Sequence, residues 1–247
     1  MTGNAFQAIQ GSGNSQLLFL CDHASNRLPE GGLGLDPALL TTHIAYDIGA
    51  AALTRALAAV YGAPALLGGW SRLLIDLNRG ADDPTLVMKL SDGSIIAGNV
   101  SSDGDAGAAE VARRIAAYHR PYHAAIDAEL DRMGARAVVI SMHSFTPAWK
   151  GRPRPWQVGI LYDRDTRLSA PLMARLAEAG FTVGDNEPYS GALEGDTLYQ
   201  HGTLRGLPHV LIEIRQDLIS SDATAQEFAL RLKPILDAAL HDMGLFR

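Results

Sequence analysis

The chain has 247 residues, 47% of them hydrophobic, and a formal net charge of −6. That length and composition suit one ordinary globular domain over 1–247 and exclude a disordered chain. Cys21 is the only cysteine, so no intrachain disulfide framework exists, and the acidic balance carries no basic stripe of the kind that binds nucleic acid.

The N-terminus has neither a basic region nor an apolar core, so no export signal is read there. The apolar stretch near 50–70 is interrupted by Arg55, Gly62 and Pro64, which excludes a membrane span. A cytoplasmic protein with no nucleic-acid or membrane partner is the expectation. The oligomeric state is left open.

In chain order, strand-like runs cover 17–21, 65–67, 73–77, 137–142, 156–162, 181–183 and 209–214. Helix-like runs cover 48–60, 106–133, 170–179, 197–205 and 223–243. Pro121 predicts a kink or break in the second of these. Segments 86–89 and 94–97 flank Asp92-Gly93 and read as a hairpin. Residues 145–155 hold three prolines with Lys150, Arg152 and Arg154, and read as a cationic loop. That loop is either simply solvated or a contact for an acidic substrate. Strands alternating with helices predict an α/β fold, a sheet covered on both faces.

Three of the apolar runs end on a chemically capable residue. His23 follows Leu17–Leu20, His143 follows Ala137–Ile140, and Glu213 ends Val210–Ile212. Open α/β sheets bind ligands outside the carboxyl ends of their strands. Two histidines and a carboxylate around one open position is a donor set of catalytic zinc sites. Asp47, at the start of a helical run, is the candidate third ligand; its alternative role is a helix N-cap. Asp22 is a weaker rival, since strand alternation turns it away from His23. Glu213 is then the general base, or else a partner for Arg215. Arg79 and Arg215 suit a bidentate grip on substrate carboxylates. His123, four residues after His119, is a candidate substrate contact, whereas His119, His43 and His209 read as structural and His201 stays open. Cys21 reads as a small buried apolar residue rather than a nucleophile.

Seven stretches, taken in order, resemble the N-formylglutamate amidohydrolase family: 21–29 (CDHASNRLP), 46–50 (YDIGA), 76–79 (DLNR), 118–123 (YHRPYH), 142–147 (MHSFTP), 186–191 (NEPYSG) and 212–218 (IEIRQDL). The resemblance implies a three-layer α/β/α, zinc-exopeptidase-like fold with a mixed, mostly parallel sheet. It implies Zn2+, or another divalent metal, held by His23, Asp47 and His143, with Glu213 catalytic. The small-molecule substrate it implies is an N-acyl acidic amino acid, N-formyl-L-glutamate above all, contacted by Asn78, Arg79, Arg215, His123, Asn186, Tyr189 and Ser190. A looser likeness to zinc-dependent muramoyl-peptide amidases shares the order His, acid, His, Glu, with Asp here in place of their longer Glu. A peptide or muramoyl-peptide amidase and a non-catalytic amino-acid-binding member of the fold remain the alternatives.

Overall fold

A computed structural model describes residues 4–13, 15–100 and 104–244. In chain order the elements are β1 (Phe6–Ile9), β2 (Leu17–Cys21), α1 (Ala50–Tyr61), β3 (Ala65–Gly68), β4 (Leu90–Ser91), β5 (Ser94–Ile95), α2 (Ala97–Val100), α3 (Gly104–Arg114) and α4 (Arg120–Met133). Then come β6 (Val138–Phe145), β7 (Ala148–Trp149), β8 (Arg152–Pro153), β9 (Val158–Leu161), α5 (Ser169–Glu178), β10 (Val183–Asp185), β11 (His209–Arg215) and α6 (Asp222–Asp242).

Seven strands form one sheet in the order β1-β3-β2-β6-β11-β9-β10. The pairs β2–β3, β2–β6, β6–β11 and β9–β10 are parallel, while β1–β3 and β9–β11 are antiparallel. The expected mixed, mostly parallel sheet is therefore present. The inner strands β2, β3 and β9 are buried and apolar on both faces because both faces are covered. Leu17, Phe19 and Cys21 pack with α1, α5 and α6, whereas Leu18 and Leu20 join the layer of Tyr122, Ile126 and Leu130 on α4.

Alternation along the central strands places the site. Val139 of β6 and Leu211 of β11 belong to the α4 layer. Ser141 and His143, and likewise Glu213, share their parity and so their face. The β6–β11 register sets Glu213 directly beside His143. One residue of slip would turn the whole β11 set to the other face.

Two expectations are corrected, and two helical ones hold with a π-turn inside them. Residues 73–77 are buried but form no strand. Ser71 accepts from Leu73 N through Oγ and from Leu74 N through its carbonyl, and Asp76 Oδ1 accepts from Asn78 N, so local side-chain bonds replace a ladder. The long second helix is neither broken nor uniform: residues Ile115–His119 form a π-turn between α3 and α4, with Arg120 N bonded to Ile115 O. The wider turn accommodates Pro121, whose ring would clash with a regular preceding turn. Residues 197–205 are likewise largely a π-turn, Tyr199–Thr203. The cationic loop contains a hairpin, β7–β8, turning on Lys150 and Gly151 at φ of 48° and 75°. The hairpin about Asp92-Gly93 is present, with strands of only two residues each. Strand β1 at the sheet edge was not anticipated. Among the described residues, no helix is long and apolar enough to cross a membrane.

Candidate active site

His23, Asp47 and His143 meet at the carboxyl ends of β2 and β6. One donor atom from each lies within 4.8 Å of the others, and all three residues are buried. Asp47 N donates to His23 O at 3.0 Å, which draws the chain before α1 onto the end of β2. This close approach lets an aspartate reach both imidazoles despite its short side chain: Oδ2 is 2.8 Å from His143 Nδ1 and Oδ1 is 3.4 Å from His23 Nδ1. Asp47 does not cap α1; that position is Gly49, which makes no side-chain cap. At Gly49 φ is +82° and a Cβ would fall 2.0 Å from Ile219 O, so only glycine allows this entry into the helix.

Both rings are held from behind. His23 Nε2 donates to Asp76 Oδ1 at 2.6 Å, and His143 Nε2 donates to Asp22 Oδ2 at 3.1 Å. Asp76 is braced in turn by Arg72 Nη2 at 2.7 Å, and Asp22 by Thr197 and Ser141 hydroxyls. A carboxylate behind an imidazole is the usual support of a metal-binding histidine. With each Nε2 proton committed to its aspartate, each Nδ1 faces Asp47, and that of His143 hydrogen-bonds Asp47 Oδ2 when it carries a proton. Among the described residues, His23 Nδ1 makes no hydrogen bond, and neither does Glu213 Oε2. Buried lone pairs directed at a carboxylate need a positive charge between them, either a proton or a metal. Burial opposes ionisation of His143, yet its hydrogen bonds to Asp22 and Asp47 hold its pKa well above the ordinary value. Four acids (Asp22, Asp47, Asp76 and Glu213) surround these rings, and Arg72 pairs with two of them, Asp47 and Asp76. The donor set and its charge suit a divalent ion such as Zn2+.

Glu213 sits beside His143 and is 6% exposed. Burial, reinforced by Asp47 and opposed by His143, raises its pKa to about 7. It is not paired with Arg215. A carboxylate poised near neutrality is suited to moving protons.

A cavity of about 250 Å³ opens above these groups. Among the residues expected at substrate, Asn78, Arg79, Tyr189 and Ser190 line it. Asn186, His123 and Arg215 do not. Asn186, at φ 51°, accepts from Tyr162 N and Gly191 N and so shapes the loop that carries Tyr189 and Ser190. The His123 ring lies behind the wall, donating through Nε2 to Leu77 O at 3.0 Å, with its Nδ1 2.8 Å from His201 Nε2. His119 Nε2 similarly donates to Arg79 O. These two histidines therefore support the 76–79 segment from outside. Arg215 turns away to Asp217 at 2.8 Å.

Sequence reasoning missed Arg72, Asp76 and Asp196. Arg72 lines the cavity between Asp76 and Asp47, at 2.7 and 3.7 Å. Asp196 also faces it, and burial pushes its pKa up to about 6. The Asp-Leu-Asn-Arg stretch was a signal for Asp76; no local pattern marked Arg72 or Asp196. His43, read as structural, stands at the cavity rim and contacts Asp92 at 3.3 Å. Cys21 is wholly buried, and burial together with Asp47 and Asp22 raises its thiol pKa, which removes it as a nucleophile.

The family model for N-formylglutamate amidohydrolase matches residues 15–220. Among solved structures, a gene product from Agrobacterium tumefaciens is 34% identical, with a TM-score of 0.91, over 98% of this chain and 97% of its own. N-formylglutamate amidohydrolase from Ralstonia eutropha JMP134 is 24% identical, with a TM-score of 0.66, over 99% and 98%. A bacteriophage poly-gamma-glutamate hydrolase, at 14% identity and a TM-score of 0.50 over 99% and 93%, shares the fold alone. No curated protein matches the chain. The fold is of the expected α/β kind, a mixed, mostly parallel sheet, and the phage hydrolase shares it. With most of its length matched, from the strand before His23 to the turn after Glu213, the chain belongs to the N-formylglutamate amidohydrolase family of hydrolases.

Proposed function

We propose that the chain is a metal-dependent amidohydrolase that cleaves the amide of an N-acylated acidic amino acid, with N-formyl-L-glutamate as the first substrate to test. The observation that carries this reading is the pair of aspartate-backed imidazoles whose Nδ1 atoms face Asp47, with the unpartnered Glu213 Oε2 alongside.

His23, Asp47 and His143 would hold Zn2+ through these donors. The ion, when bound, supplies Lewis acidity at the scissile carbonyl and lowers the pKa of water to about 7. Glu213 takes a proton from the attacking water and delivers it to the departing amine as the C–N bond breaks. Formate and glutamate are the products for N-formylglutamate. Arg72 and Arg79, with Asn78, face the same cavity and are the groups suited to the substrate carboxylates or to the oxyanion. Tyr189 and Ser190 border the cavity on the loop shaped by Asn186.

Metal content of protein purified without chelator, together with formate release, tests this directly. The expected result is about one zinc per chain, lost in His143→Ala, with formate released by the wild type. A chain that binds no divalent metal, or that carries zinc and cleaves no N-acyl amino acid, defeats the reading.

A further inference from the structure

The Tyr189 side chain lies on a boundary. On one side is the cavity of His23, His143 and Glu213; on the other is a more open groove of about 700 Å³. Trp149, Lys150, Arg152, Arg154 and Trp156 line that groove along the β7–β8 hairpin, and Glu187 is its single acid among the described residues. The hairpin thus builds a basic, aromatic surface on a chain whose net charge is −6.

Arg113, Arg132, Arg167, Arg175 and Arg205 each hold an acidic partner elsewhere on the surface. Lys150 and Arg152 make no ion pair among the described residues. Lys150 Nζ instead lies 4.4 Å over the Trp149 ring, and that ring is itself 46% exposed. Arg154 is fixed by Thr146 Oγ1 at 2.9 Å and lies 5.1 Å from the Tyr189 ring, which joins the groove to the inner cavity. Charged heads presented beside flat apolar faces suit a peptide whose side chains end in carboxylates on short methylene stems.

We propose that the β7–β8 groove is a substrate subsite for an acidic peptide whose N-acylated first residue occupies the inner cavity. The proposal rests on the amidohydrolase reading and extends it from a single acyl amino acid to N-acylated acidic peptides. Lys150 and Arg152 take the carboxylates of the following residues, and Trp149 and Trp156 take their methylenes. Each exposed pair is weak alone, so the groove is expected to contribute about tenfold in all.

The test compares kcat/KM for N-formyl-Glu-Glu and N-formyl-Glu. The expected preference for the longer substrate is about tenfold, shrinking toward parity in the Lys150→Glu/Arg152→Glu double variant and at high salt. No preference in the wild type, or a preference that survives the charge reversal, overturns the proposal. If the double variant loses its native circular dichroism, Lys150→Gln/Arg152→Gln takes its place with the same criterion.

A second readout needs no turnover. Triglutamate titrated into the full chain is expected to change tryptophan fluorescence saturably, with Kd raised about tenfold in the double variant. Trilysine or tripolyphosphate binding as tightly as triglutamate overturns the assignment to an acidic peptide. Saturable triglutamate binding without cleavage of either formyl substrate leaves the groove standing and removes the amidohydrolase reading. Cleavage of both at equal rates removes the groove alone.

Discussion

Replacing Asp76 by asparagine isolates the support behind His23 without changing its volume. Asp76 is fully buried and accepts three bonds: from His23 Nε2 at 2.6 Å, Arg72 Nη2 at 2.7 Å and Asn78 N at 3.0 Å. An amide oxygen can still receive His23 and Asn78 N, but the negative charge is gone and an NH2 group meets Arg72. A hydrogen bond to a charged group contributes about 1.5–3 kcal/mol, against about 0.5–1.5 kcal/mol for a neutral one. The difference at His23 is thus about 1–2 kcal/mol, which corresponds to roughly 5- to 30-fold in an equilibrium constant. Weaker basicity at His23 Nδ1 and looser ring orientation add to it, so the zinc Kd is expected to rise about 10- to 100-fold. Chelator competition at pH 7 measures it, with circular dichroism to confirm that the chain is folded. A folded Asp76→Asn protein whose zinc Kd moves by less than about threefold would refute the argument that the aspartate tunes this ligand.

Glu213→Gln is expected to keep its zinc and lose activity by about two orders of magnitude or more, the scale of a lost general base. In the wild type, Glu213 must be ionised to act, so kcat/KM falls as pH drops through its pKa. That pKa is about 7 in the chain alone, and a nearby cation lowers it further, so an acid limb lying above pH 8 contradicts the assignment. Zinc binding at pH 7 is expected to expel protons, because the carboxylates raise the His143 pKa well above 6.5 and a ligating nitrogen must be free; calorimetry in buffers of different ionisation enthalpy reads this, and an enthalpy independent of buffer sinks it. The His123 imidazole behaves in the opposite sense. Burial, with His119 and His201 adjoining, lowers its pKa to about 3, so the folded state stays unprotonated while the unfolded chain takes a proton below about 6.5. Its stability contribution is present above pH 6.5 and lost as pH falls toward 3. Between pH 7 and 5 the loss is about 2 kcal/mol, and urea unfolding of metal-free His123→Gln should show that much less pH dependence than the wild type. Equal pH dependence in the two proteins counts against a buried, neutral His123.

Much of the site was legible because its residues end apolar runs. A strand buried on both faces has to be apolar along its length, so His23, His143 and Glu213 stand out where β2, β6 and β11 stop being apolar. Asp47 was legible for a related reason, since an acid at the start of a helix near a strand end has few roles. Asn78, Arg79, Tyr189 and Ser190 line the cavity, while Arg215, two residues past Glu213 on the same strand face, turns to Asp217 instead. Parity assigns a side chain to a face of the sheet; beyond the strand end it no longer decides where a long side chain goes.

Local pattern therefore determined the α/β class, the apolar strands and the identity of the groups at their ends, because these depend on periodicity within about ten residues. Tertiary structure decided the rest. The β6–β11 register brings His143 and Glu213 side by side across 70 residues of chain. The irregular path of 71–79 delivers Arg72 and Asp76 behind His23, although its apolar composition resembles a strand. Whether an aspartate such as Asp22 or Asp76 caps a turn, pairs with an arginine or braces a histidine depends on which distant element packs against it. That partner is selected by packing of the whole core, which no short window of sequence contains.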